Sequence, residues 1–109
     1  MAYDERLAAR VREMLAETVP AAERTMFGGL SFMVNGHMCC GIIGDELVLR
    51  LGVVRAQRAL GEPHVRPMDF TGRPLKGFVF VSPRVIRTEA MLRHWVQLAR
   101  DFVETLPPK

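Results

Sequence analysis

The residue types with the most chemical reach in this sequence lie within four positions of one another: His37, Cys39 and Cys40. Thiolate and imidazole are zinc ligands, so a metal site is the first chemistry to weigh. The spacing speaks against it. Neighbouring side chains on an extended strand point to opposite faces, so Cys39 and Cys40 would not both turn toward one ion, and zinc usually draws four ligands from separated clusters. The second chemistry is nucleophilic catalysis, with Cys39 as nucleophile and His37, two residues away on the same strand face, as its base. No other part of such a site accompanies them, and the sequence contains no P-loop, GxGxxG, GxSxG or HExxH pattern. The residues are therefore read as an apolar core cysteine, Cys40, and a half-exposed thiol, Cys39, with no catalytic residue, metal or cofactor assigned. His64, in a proline-flanked loop, and His94, beside Arg93 on the polar side of the last helix, read as surface residues.

The remaining chemistry is cationic. The net charge is only +3, but residues 50–87 hold eight bases against two acids, an excess of six. Arg55, Arg58, Arg66, Arg73 and Lys76 lie in this stretch and could contact phosphates, so nucleic-acid association is one reading. No recognition-helix or RNP-like pattern accompanies them. The aromatic residues, six Phe, one Tyr and one Trp, fall mostly at core-patterned positions and offer no evident stacking platform. A solvated arginine-rich surface is the simpler account.

At 109 residues, with 49% apolar and 25% charged residues, the sequence fits one soluble domain spanning 1–109. No window has the apolar length of a membrane span, and the start, MAYDERLAARVREM, lacks the apolar block of a secretory signal. A cytoplasmic protein is expected. The two cysteines are adjacent, which argues against a disulfide-stapled secreted fold.

The elements that position these residues can be read from periodicity. Leu7, Ala8, Val11, Met14 and Leu15 recur at helical spacing, with Asp4 as N-cap and Pro20 forcing an end. Ala21 to Arg24 reads as a connector. A three-stranded antiparallel meander then covers Thr25 to Leu51, turning at Asn35-Gly36 and Gly44-Asp45, with Gly28-Gly29 as a bulge inside its first strand. Gly52 to Leu60 reads as a short helix with Val53, Ala56 and Leu60 on one side. Val65 to Phe70 and Leu75 to Val81 are strands, and a last helix begins at the N-cap Thr88 and ends before Pro107-Pro108. The order α-β-β-β-α-β-β-α implies an α+β domain: a mainly antiparallel five-stranded sheet with helices on one face.

A loop of two or four residues at Asn35-Gly36 places Met33 opposite Met38 and Ser31 opposite Cys40; a two-residue turn at Gly44-Asp45 places Ile42 opposite Leu47 and Cys40 opposite Leu49. The helix-facing side then carries Met33, Met38, Cys40, Ile42, Leu47, Leu49 and Leu51. The other side carries Leu30, Phe32, Val34, His37, Cys39, Val48 and Arg50, too apolar to be simply solvated. A second contact surface built on Leu30, Phe32, Val34 and Val48 is expected. A three-residue loop with a bulge at the first turn would flip the first strand's parity and move Phe32 into the core.

Met26-Phe27-Gly28-Gly29, Asn35-Gly36, the strand Leu47-Val48-Leu49-Arg50, Phe70, the strand Lys76-Gly77-Phe78-Val79-Phe80-Val81 and the Trp95 helix together resemble the N-terminal domain of the TfoX/Sxy family. The resemblance covers nearly the whole sequence and implies a fold akin to type III secretion chaperones. It also implies regulation rather than catalysis: founding members regulate natural competence together with a transcription factor, and the family offers no established catalytic residues to carry over. The expectation is a non-enzymatic regulatory or protein-interaction module, acting as a homodimer or with a protein partner. Nucleic-acid association through the arginine-rich stretch is the alternative, and a thiol enzyme on Cys39 and His37 the least favoured.

Overall fold

The computed structural model describes residues 3–17, 20–26, 28–68 and 75–108. Helix α1, Glu5–Ala16, starts where the Asp4 carboxylate accepts the Arg6 and Leu7 backbone N–H groups. These donors have no partner within the helix, so the cap satisfies them. Six strands follow the order of the chain, interrupted by helix α2: β1 Ala22–Met26, β2 Gly29–Val34, β3 His37–Ile43, β4 Glu46–Arg50, α2 Val53–Ala59, β5 Val65–Pro67 and β6 Phe78–Val81. A single 3-10 turn, Pro83–Val85, leads into α3, Glu89–Val103, whose N-cap Thr88 accepts from the Met91 N–H. The strands form one antiparallel sheet in the order β1-β2-β3-β4-β6-β5. Its edges are blunted, β1 by the charged Glu23 and Arg24 and β5 by its brevity and Pro67.

The α+β class holds, with six strands in place of five. Residues 22–24, read as connector, join Thr25 and Met26 in a separate strand, β1, and Gly28-Gly29 is not a bulge. Gly28, at φ +74°, lies in the turn between β1 and β2, while a Cβ at Gly29 would collide with the Ile42 carbonyl, so close strand approach requires glycine there.

Both meander turns are as expected. Asn35 and Gly36 each have positive φ, as a type I′ turn demands, and Val34 pairs with His37 across it. Gly44-Asp45 places Ile42 opposite Leu47 and Cys40 opposite Leu49. The bulge lies one step beyond the first turn: Met33 pairs with Met38 but Phe32 pairs with Cys40, leaving Cys39 as the extra residue of β3.

This single insertion corrects the expected faces. Ser31 lies opposite Gly41, not Cys40. Leu30, Phe32 and Val34 are buried in the helix-side core with Cys40, Ile42, Leu47, Leu49 and Leu51, where α1 and α3 pack. Cys39 is there too, fully buried rather than half-exposed. Met33 and Met38 are half-buried outside that core, Met38 against the outer cluster. Val48 does lie on the outer face, but it is enclosed with Phe80 and Met68. The partner face expected from Leu30, Phe32, Val34 and Val48 is therefore not a free surface. Phe78 and Phe80 alternate with Val79 and Val81 as read from sequence, the valines joining the helix-side core.

Polar contacts fasten the helices to one another. The Arg10 guanidinium donates to the carbonyls of Ile86, Arg87 and Thr88 just before α3, and Arg93 of α3 pairs with Glu17. Arg12 pairs with Glu23, tying α1 to β1.

Candidate interaction surface

Helix α2 departs from the usual amphipathic pattern. The side chains it buries are two alanines, Ala56 and Ala59, while Val53 and Val54 are 57% and 65% exposed. A helix packed for stability alone turns its large apolar residues inward. What holds α2 is its entrance: the Leu51 and Gly52 N–H groups donate to the Gly77 carbonyl, joining the end of β4 to the start of β6. Gly52 has φ +82° and ψ 159°, a region open essentially to glycine alone, and a Cβ there would lie 2.5 Å from the Phe102 ring.

Beside α2 runs a groove of about 340 Å³. Val53, Ala56 and Leu60 form its helical wall, and Pro67, Leu75 and Phe78 the opposite one. Leu60 and Leu75 are 38% and 39% exposed, so with Val53 and Val54 this region holds four of the five exposed large apolar side chains among the described residues. Lys76 also lines it. The helical stripe of Val53, Ala56 and Leu60 read from periodicity is thus real, but its outer members face a groove instead of the core.

Cations border this region. Arg50, at the end of β4, lies with its guanidinium carbon 5.6 Å from the Phe78 ring centre and 5.8 Å from that of Phe102. Both rings are within the range of cation–π attraction. Arg55 and Arg58 project from the other flank of α2, where they line a small cleft toward α3. Their side chains make no ion pair or hydrogen bond among the described residues. Arg66 is engaged, bridging to Glu46 and lying 4.1 Å from the Phe80 ring centre. Arg73 lies outside the described residues. The expected nucleic-acid set is therefore divided: Arg55 and Arg58 on one side of α2, Lys76 on the other, and Arg66 committed to an acid.

The thiol reading meets a different obstacle. Cys39 and Cys40 are both fully buried, and the hydrogen bond the Cys40 thiol donates to Cys39, followed by burial, pushes that thiol well above its ordinary range. A buried thiol held in its protonated form is a poor nucleophile. His37 is also buried, with Nε2 2.7 Å from the Pro107 carbonyl, to which it donates. The bulge turns both cysteines to one side, contrary to simple alternation. Even so, no group of three His, Cys, Asp or Glu side chains among the described residues is placed to hold a metal ion. No helix among them is long and apolar enough to cross a membrane.

The family model of the TfoX N-terminal domain matches residues 13–103. No curated protein and no solved structure matches the sequence.

Proposed function

The chain belongs to the TfoX N-terminal domain family, and from that premise we propose that it is a non-enzymatic regulatory module that binds a protein partner through the α2 groove. The carrying observation is the inverted packing of α2, alanines inward and Val53, Val54 and Leu60 outward, opposite the exposed Leu75. Clustered exposed apolar side chains with a cationic border are the usual signature of a docking surface.

The border favours the nature of the occupant. Lys76 in the groove, Arg50 beside it and Arg55 and Arg58 across the helix suit an apolar segment carrying acidic residues. A second copy of the chain would bring these cations against their own kind. Nucleic acid is less well supported, because Arg66 is paired and α2 separates the remaining bases.

Affinity capture with the wild type and with Leu60→Asp and Val53→Asp tests this reading, since both side chains reach the surface, and thermal melting of each variant verifies that it folds. The expected result is a protein retained by the wild type, released by rising salt and lost with either variant. Equal retention by all three would refute the groove. Sedimentation equilibrium supplies the other arms: a wild-type dimer that Leu60→Asp dissociates identifies a second copy as the occupant, and salt-dependent retention of duplex or single-stranded nucleic acid supports the alternative.

A further inference from the structure

On the far side of α2, the loop leading to β5 and the outer face of α3 border a second, open concavity, separate from the groove. Its larger lobe is about 590 Å³, within the size range of small-molecule sites. Val85, Met91 and Trp95 supply apolar walls, and His64, His94 and Glu62 the polar groups. Trp95 and Glu62 also wall a smaller lobe of about 190 Å³ that is lined by Arg55 and Arg58, so the two lobes adjoin at these shared side chains. Two guanidiniums free of ion pairs among the described residues therefore face one carboxylate.

His64 is the unusual residue. Among the described residues only Asn35 and His64 are non-glycines with positive φ. Asn and His are both among the residue types that enter this region more readily than most, and His64 does so at φ +66°. The turn is held by its backbone, the His64 carbonyl accepting the Ser82 N–H at 3.0 Å, while the imidazole makes no hydrogen bond among the described residues. Glycine would adopt this conformation at lower cost. From this turn the imidazole lines the larger lobe. His94, which lines the same lobe, lies edge-on to Trp95, with ring centres 5.5 Å apart.

We propose that this two-lobed cleft binds a small amphiphilic carboxylate. The apolar body lies against Val85, Met91 and Trp95 between the two imidazoles, and the carboxylate reaches Arg55 and Arg58, whose planar donor forks match its two oxygens. Glu62, where the lobes join, excludes more heavily charged anions.

Trp95 is the sole tryptophan, so its fluorescence reports occupancy directly. Hexanoate, octanoate and 4-phenylbutyrate serve as probes, with the uncharged amide of the last as control. At least one carboxylate is expected to change Trp95 emission saturably, with the amide and the Arg55→Gln/Arg58→Gln double variant each weaker by about tenfold. Glu62→Gln is expected to tighten binding. His64→Gly separates a ligand contact from a structural role: its melting temperature should hold or rise while affinity falls by about threefold or more. No saturable change with any of the three carboxylates overturns the proposal, as does equal binding of the amide or full affinity in His64→Gly.

Discussion

Replacing Phe32 with alanine distinguishes the two possible faces of β2. With the bulge at Cys39, Phe32 is 1% exposed in the helix-side core; without it, the side chain would stand on the outer face as part of a contact surface. Removing a buried phenyl ring from a core typically costs about 3–5 kcal/mol, the lost transfer free energy plus the cavity left behind. For 109 residues the unfolding entropy near the midpoint is about 230 cal/mol/K, at about 2.1 cal/mol/K per residue. The midpoint should therefore fall by about 13–22 °C. The same loss is a large fraction of a domain stability of about 5–15 kcal/mol. Val54→Ala, at an exposed site on α2, should stay within about 0.5 kcal/mol of the wild type, roughly 2 °C. Thermal unfolding followed by circular dichroism, with sedimentation to record association, reads both quantities. A Phe32→Ala protein melting within a few degrees of the wild type but altered in oligomeric state would refute the core placement and restore the outer-face reading.

Two further predictions rest on individual groups. Arg12 donates to the Glu23 carboxylate and holds its pKa below the usual range, so the folded state binds that proton less readily than the unfolded chain. This contribution should be complete above the unfolded carboxyl pKa of about 4.3 and vanish as pH falls through the lowered folded value. Because both side chains are partly exposed, it amounts to less than about 1 kcal/mol. Urea unfolding across that window, wild type against Arg12→Gln, should show the pH-dependent difference; identical profiles would contradict the linkage. Second, neither thiol should react with Ellman's reagent in the native protein, and both should react once it is unfolded. Rapid labelling of one native cysteine would contradict the burial of Cys39.

The local signals that depend on near neighbours were legible without the structure. Asp4 and Thr88 mark helix starts because an oxygen near an unpaired backbone N–H caps it whatever the rest of the chain does. Asn35-Gly36 and Gly44-Asp45 set their pairings because few other residue pairs tolerate those backbone angles. Strand β1 was hidden: Ala-Glu-Arg-Thr-Met lacks apolar alternation, and its pairing depends on β2 offering an open edge. The bulge was hidden for a subtler reason. One inserted residue leaves no compositional trace, yet side-chain period two makes it exchange the two faces of the paired strand. That exchange moved Leu30, Phe32 and Val34 into the core.

The same limit applies at α2, where periodicity aligned Val53, Ala56 and Leu60 on one stripe but could not say what lies opposite. A buried stripe and a groove-lining stripe have the same sequence pattern. The Gly77 carbonyl, the alanine-sized contacts of α2 and the placement of Leu75 and Phe78 turn this one toward a groove. Sequence alone therefore determined the family, the α+β class, the caps and the tight turns, all properties of short segments. Tertiary packing decided which apolar residues are spent on the core and which stay at the surface, because burial depends on what the rest of the chain brings to each face.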